Sequence, residues 1–255
     1  MASPKGIQEV LVERKLKPIL EIHNLAKSFG GLQAFTGVSL EIHQDEIVGL
    51  IGPNGAGKTT LINCITATYR PSRGTIVFEG RPILNLRPHE VCRSGIGRTF
   101  QIPRPFMNMS GMDNLRVCAQ RGEIDYRWLL DMVGLYGKRD HKAKALTFHE
   151  RRLLELSRAL SVKPRLLLLD ETMAGLNPAE TLQMMALLRR IQAELKVSVL
   201  WIEHVMKAIM ETAHRVLVLH QGRLIAQGSP REIANDPSVV EAYLGEEYRF
   251  ASGNA

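Results

Sequence analysis

The sequence predicts an α/β fold built on a parallel sheet, and three stretches carry that expectation. Glu46-Ile47-Val48-Gly49-Leu50-Ile51 is a buried strand that runs into Gly52-Pro53-Asn54-Gly55-Ala56-Gly57-Lys58-Thr59-Thr60, after which Leu61, Ile62 and Ile65 recur at helical spacing. Pro164 breaks the chain before Leu166-Leu167-Leu168-Leu169, a run apolar enough to be covered on both faces, as parallel strands are. A long helix, Ala179 to Leu195, then leads to the strand Val197 to Ile202.

The remaining elements follow in order. Pro18 to Ile22 reads as an opening strand with a turn at Gly30-Gly31, and Val38 to Ile42 alternates as a half-exposed strand does. Gly74 and Gly80 bracket the strand Thr75 to Glu79, which suggests an antiparallel ribbon beside the main sheet. Ile96 to Phe100 is a further short strand. From Ile102 to Leu146 the β pattern fades into short helical runs such as Trp128 to Val133, and Arg151 to Leu160 is a better helix with Leu153, Leu156 and Leu160 on one face. Val216 to Leu219 and Leu224 to Ala226 flank Gln221-Gly222 as a hairpin, and Ser229-Pro230-Arg231-Glu232 supplies a capping box with proline at the first helical position.

Composition sets outer bounds. At 255 residues the chain suits one α/β domain with a smaller lobe. Lys+Arg 33 against Asp+Glu 26 leaves a net charge of +7, which favours anionic partners such as a nucleotide, an anionic leaflet or nucleic acid. No uninterrupted basic run marks a nucleic-acid arm. Cys64, Cys92 and Cys118 are widely spaced with no C-x-x-C pair, which argues against a zinc site or disulfide framework and fits a reducing compartment. Met1 to Lys17 lacks the apolar core of a signal peptide, and no apolar stretch is long enough to cross a bilayer.

The chemistry lies in segments that come in one order: the glycine loop, Gln101, Asp170-Glu171 and His204. The loop matches G-x-x-x-x-G-K-[ST] and sits between a strand and a helix, the context a phosphate cradle needs. Gly52, Gly55 and Gly57 let the backbone of the loop, which also holds Pro53, Asn54 and Ala56, curl so that successive N–H groups point inward; Pro53 itself has none to give. Lys58 is expected to reach the β- and γ-phosphates of ATP, and the Thr59 hydroxyl, next to Thr60, to ligate Mg²⁺. Asp170 ends a buried strand, from where a carboxylate can hold the same Mg²⁺, and Glu171 would orient or deprotonate the attacking water. Gln101 and His204 each lie just past a strand, at the edge where open α/β sheets bind ligands. Phe29 precedes a glycine pair and could stack on adenine, or simply fill the core.

These segments resemble those of an ABC transporter ATPase subunit over Pro18 to Phe250. Gly97-Arg98-Thr99-Phe100-Gln101, Met173-Ala174-Gly175-Leu176-Asn177-Pro178, Ile202-Glu203-His204 and Glu241-Ala242-Tyr243-Leu244-Gly245 resemble the ATP-binding subunits of branched-chain amino-acid importers. Tyr243-Leu244-Gly245-Glu246 also resembles the lipopolysaccharide-export ATPase, the rival within the family. The resemblance implies a P-loop NTPase with a RecA-like core sheet and an antiparallel β lobe over 18–101 and 160–250, a helical subdomain over 102–159, and an N-terminal extension over 1–17. It implies ATP and Mg²⁺, with Gln101 also touching the metal and sensing the γ-phosphate, and His204 holding the γ-phosphate and water.

It further implies two membrane-spanning permease chains, a second ATPase packed head to tail with contacts at Ala174 to Asn177, an external binding protein acting indirectly, and peripheral placement on the cytoplasmic face of the inner membrane. The signature pattern, L-S-G-G-Q or L-S-Y-G-Q, is replaced here by Leu146-Thr147-Phe148-His149-Glu150. Thr147 keeps a hydroxyl, while His149 stands where a glycine would let the backbone approach a phosphate. That departure leads to the expectation of an asymmetric heterodimer. Thr172 stands in place of the usual proline after the catalytic glutamate. Met107-Asn108-Met109-Ser110-Gly111-Met112 would help receive a permease helix, or pack internally. A soluble ABC ATPase acting on nucleic acid or ribosomes is the competing class; one phosphate loop and no heptad run tell against it, and no nucleic acid is expected.

Overall fold

The computed structural model describes residues 18–118 and 125–243. In chain order the first elements are β1 (Pro18–Phe29), β2 (Leu32–His43), β3 (Ile47–Ile51), α1 (Lys58–Ile65), β4 (Arg73–Phe78) and β5 (Arg81–Pro82). Then come α2 (Pro88–Arg93), β6 (Ile96–Arg98), α3 (Gly111–Cys118), α4 (Tyr126–Met132) and α5 (Phe148–Ser161). The chain continues through β7 (Leu166–Asp170), α6 (Pro178–Leu195), β8 (Ser198–Ile202), α7 (Met206–Thr212), β9 (Arg215–His220), β10 (Arg223–Gly228) and α8 (Pro230–Ala234).

A six-stranded sheet in the order β10-β9-β3-β8-β7-β6 forms the centre, and every pairing in it is parallel except β9 with β10. A four-stranded antiparallel sheet, β2-β1-β4-β5, lies against one face. The period-two geometry of strands divides the apolar side chains between two cores. Leu166, Leu168, Leu200, Ile202, Leu217 and Leu219 face α1 and the antiparallel sheet. Leu167, Leu169, Val199, Trp201, Val216 and Val218 face the helices of the other layer, including α5, α6 and α7. The all-leucine strand is thus buried on both faces because each face meets its own core. Truncation of Leu168, which is fully buried, should cost about 2–5 kcal/mol. A fall in the urea midpoint of Leu168→Ala, without change in the slope, is the expected reading.

Element limits differ from the sequence expectation in ways that bear on the site. The strand expected to reach Phe100 ends at Arg98; Thr99 N–H still bonds the Leu168 carbonyl at 3.0 Å, and Phe100 then turns out to the surface. The helix expected from Arg151 begins at Phe148, because Thr147 accepts the Glu150 N–H at 3.2 Å while Glu150 accepts the Thr147 N–H at 2.9 Å. The expected capping box at Ser229 is present, with Pro230 at the first helical position. Met1 to Lys17, Leu244, Gly245 and Glu246 lie outside the described residues. Among the described residues, no helix is long and apolar enough to cross a membrane.

Candidate active site

Between β3 and α1 the glycine loop closes on itself with glycines where nothing larger fits. Gly52 has φ +147°, and a Cβ there would stand 1.9 Å from the Leu219 carbonyl oxygen on β9. Gly57 has φ +103°, and its Cβ would meet the Ala34 carbonyl oxygen of β2 at 2.7 Å. So both sheets press on the loop and fix its curl. Gly57 is also the N-cap of α1, whose first turn has neither a side-chain cap nor an acidic residue. Its N–H groups and the positive end of its dipole therefore face the loop opening, the arrangement that binds phosphate. Lys58 is buried, and its ammonium donates back to the carbonyls of Gly52 at 2.5 Å and Pro53 at 2.8 Å. Asn54 and Gly55 at the loop tip and Thr59 on α1 are exposed, Thr60 is half-buried, and Pro53 and Ala56 are buried.

Asp170 ends β7 beside this loop. The Thr59 hydroxyl lies 3.4 Å from Asp170 Oδ1, and Arg98 Nη2 lies 3.4 Å from Asp170 Oδ2. Arg98 Nη1 also donates to Asn63 Oδ1 at 2.6 Å and Thr66 Oγ1 at 3.1 Å, tying the far end of α1 to β6 and β7. Burial pushes the Asp170 carboxyl up, against the downward pull of Arg98. Thr59 and Asp170 together offer two hard oxygens next to a phosphate-binding loop. That set fits Mg²⁺, which takes one or two protein oxygens and fills its remaining positions with phosphate oxygens and water.

Glu171 follows at once, in the left-handed region with φ +51°. Its N–H bonds the Ile202 carbonyl at 2.9 Å, and its own carbonyl accepts from Arg152 Nη1 at 2.7 Å. The carboxylate is held on both sides: Gln101 Nε2 donates to Oε2 at 2.5 Å, and His204 Nε2 lies 2.7 Å from Oε1. Gln101, Glu171 and His204 thus meet at the ends of β6, β7 and β8, the carboxyl edge of the parallel sheet. Gln101 donates its amide to Glu171 rather than to the Thr59–Asp170 pair.

Beneath this layer lies a buried polar network. Glu203 Oε1 accepts from Met173 N–H at 2.8 Å, from Trp201 Nε1 at 3.2 Å and from the Thr172 hydroxyl at 3.2 Å, while Oε2 accepts from His204 N–H at 3.3 Å. Trp201 Nε1 also bonds Thr172 Oγ1 at 3.1 Å. The hydroxyl at 172 therefore knits the loop carrying Glu171 to the one carrying His204, a bond proline could not make. Burial pushes the Glu203 carboxyl up despite these donors. Glu155, on α5, is also buried and is pushed up to about 7 by desolvation, against the pull of Arg104 and Phe100 N–H groups and of Arg158 and Arg152.

The folded pKa of Glu155 lies above the unfolded value of about 4.3, so the native state binds the extra proton between those limits. The stability this contributes is complete below about pH 4 and is lost as pH rises through about 7, a change on the order of 3 kcal/mol. Glu155→Gln should therefore flatten the stability profile between pH 5 and 8; urea unfolding across that range reads it.

Phe29 ends β1, half-exposed, packed edge-on to Tyr69 at 5.2 Å under the Lys27 ammonium at 4.6 Å. The same hairpin brings the Ala34 carbonyl of β2 against Gly57. The residues expected to form the signature segment lie at the start of α5: Leu146 is buried, Thr147 caps α5, Phe148 is exposed, and Glu150 pairs with Lys138. His149 buries Nδ1 with no partner among the described residues. Sequence reasoning gave no role to Asn63, Arg152, Glu155, Trp201 or Thr172, and none to Arg98 or Glu203 beyond the motifs that contain them. Each acts through contacts between elements far apart in the chain, and no local pattern marks them.

The ABC transporter family profile matches residues 35–174, and that of the branched-chain amino acid ATP-binding cassette transporter matches residues 223–249. The chain is 39% identical over 253 residues to the high-affinity branched-chain amino acid transport ATP-binding protein BraF of Pseudomonas aeruginosa, covering 90% of this chain and 99% of the relative. LivG of Escherichia coli, which carries the same description, is 38% identical over the same shares. The lipopolysaccharide export system ATP-binding protein LptB of Acidithiobacillus ferridurans is 35% identical over 92% of this chain and 100% of its own. A crystal structure of a nucleotide-free ATP-binding cassette from an ABC transporter superposes with a TM-score of 0.81 at 30% identity, covering 89% of this chain and 98% of that one. The ADP conformation of an ATP-binding cassette of an ABC transporter matches at the same score and identity, covering 89% and 99%. A phosphate loop, a paired Asp-Glu at a strand end and relatives alike nearly end to end agree: the chain belongs to the ABC transporter ATPase family, and its reaction is ATP hydrolysis.

Proposed function

We propose that this chain hydrolyses ATP as the energy-coupling subunit of an importer for branched-chain or related amino acids. The observation that carries the ATPase half is the pinning of Glu171 between Gln101 and His204, next to the Thr59–Asp170 pair. The importer half rests on BraF and LivG and on the match at residues 223–249. On this reading Lys58 leaves the Gly52 and Pro53 carbonyls for the β- and γ-phosphates, and the loop N–H groups and the α1 N-terminus meet the rest of their charge. Thr59 and Asp170 hold Mg²⁺, which when bound neutralises charge on the phosphates. Glu171 takes a proton from the attacking water, while His204 and Gln101 orient the water and the carboxylate. Phe29 stacks on the adenine.

The partners proposed are two permease chains and a second ATPase, with an external binding protein reached only through the permeases. The chain would sit on the cytoplasmic face of the membrane. The His149 substitution supports an asymmetric pair: an imidazole at the second helical position of α5 occupies space that a bare backbone would leave for a phosphate. Ala174 to Asn177 would meet the second ATPase.

The identity to LptB favours an export system as the second reading. Isolation of the chain at native abundance from gently solubilised membranes, with mass spectrometry of what travels with it, separates the two. Two permeases and a distinct second ATPase are expected. Recovery with lipopolysaccharide-export components, or with ribosomes or DNA, would overturn the importer reading and leave the ATPase chemistry standing.

A further inference from the structure

Helix α5 starts at the signature segment and presents Arg152, Glu155 and Arg158 at three-residue spacing along its length. Each holds a loop that leaves the central sheet. Arg152 Nη1 donates to the Glu171 carbonyl at 2.7 Å. Glu155 Oε1 accepts the Arg104 N–H at 3.3 Å, and Arg158 Nη1 donates to the Arg104 carbonyl at 2.8 Å. The Arg104 loop carries Gln101, and Gln101 is bonded to Glu171. One helix therefore grips both loops whose side chains meet at the carboxylate.

Arg152 has features that ordinary charge balance does not require. Glu171 occupies a left-handed conformation that a non-glycine residue keeps only where its surroundings hold it. Its N–H is fixed by β8, and its carbonyl is fixed by Arg152. The guanidinium is buried and lies 4.9 Å from the ring of Phe148, inside the signature segment. Its Nε and the Thr99 hydroxyl are buried without a partner among the described residues, and both residues line one small cavity with Glu155 and Thr172.

Resting on the reading of Glu171 as the base, we propose that Arg152 is a positioning residue for hydrolysis. It holds the Glu171 backbone in the turn that aims the carboxylate, and its stacking on Phe148 links that turn to this chain's own signature segment. A nucleotide clamped on the signature segment would thereby be felt at the carboxylate serving the other nucleotide.

The test uses the full chain assembled with its transporter partners and reads ATP affinity and single-turnover hydrolysis separately. Arg152→Ala is expected to slow the single turnover about 10–100-fold with ATP affinity within about twofold, since the phosphate loop is untouched. On a Glu171→Gln background the same change should alter the residual rate less than about twofold, because both act through one carboxylate. Phe148→Leu should show a smaller loss with the same dependence on Glu171, and Arg152→Lys, which keeps a donor, should recover part of the rate.

An unchanged rate in Arg152→Ala while Glu171→Gln is inactive overturns the positioning role and leaves the base assignment standing. Equal losses in both backgrounds, or loss of affinity in step with rate, would show general damage and overturn it too. A fully active Glu171→Gln would instead remove the base reading on which the proposal rests. An Arg152→Ala chain that does not fold is replaced by Arg152→Gln, judged by the same two backgrounds. Phe148→Leu at wild-type rate would overturn the link to the signature segment.

Discussion

Glu171→Gln is expected to lower ATP turnover by about 10²–10³-fold while leaving ATP binding within a few-fold. The substitution preserves the shape of the site. A glutamine carbonyl can still accept from Gln101, and its amide can still meet His204, so the contacts now made at 2.5 and 2.7 Å retain partners. What is lost is the ability to take a proton. The phosphate loop and the Thr59–Asp170 pair are untouched, so the variant should accumulate with uncleaved ATP. Steady-state hydrolysis and retained nucleotide, measured side by side, read the two effects. Turnover within tenfold of the parent would end the assignment of Glu171 as the base.

Lys58→Ala should weaken ATP binding by about 10²-fold or more, since hydrogen bonds from a charged donor contribute about 1.5–3 kcal/mol each. The lower end is the better expectation here. The ammonium donates to the Gly52 and Pro53 carbonyls, and those bonds must be exchanged for bonds to phosphate. Lys58→Arg should not rescue: the planar fork is longer and cannot turn inside the tight curl that Gly52 and Gly57 define. Titration calorimetry at fixed Mg²⁺ gives the affinities. Unchanged binding in Lys58→Ala would sink the phosphate-loop assignment.

The two variants are informative together because they act on different stages. Lys58 concerns whether ATP is held, and Glu171 whether held ATP is cut. Arg152 groups with Glu171 in effect, through the carbonyl it holds. Glu155 lies one helical turn further on and makes the stability of the same helix–loop junction sensitive to pH near 7.

The phosphate loop, the Asp170–Glu171 pair and the parallel strands that present them are all legible in the amino-acid order alone. Each is a local pattern: glycines at the positions where the chain must turn left-handed, and apolar runs where both faces of a strand are covered. Gln101 and His204 were legible only as residues just beyond strand ends; that both reach one carboxylate is a fact of sheet order, which sets β6, β7 and β8 side by side. The start of α5 was missed by a few residues because Phe148 and His149 break the apolar periodicity, whereas the Thr147–Glu150 box that begins the helix depends on capping rather than hydrophobic spacing.

The remaining features depend on contacts between distant elements. Thr172 stands where the family has proline, and its hydroxyl lies between Trp201 and Glu203. Arg98 gained its place by spanning α1 and β7, and Arg152 by reaching from α5 to the Glu171 carbonyl. A buried charge or hydroxyl is defined by the partners that replace water around it, and those partners come from distant parts of the chain. Local sequence can specify a turn or a strand, but it cannot specify which of many polar groups will be brought within bonding distance once two cores have closed on either side of the sheet.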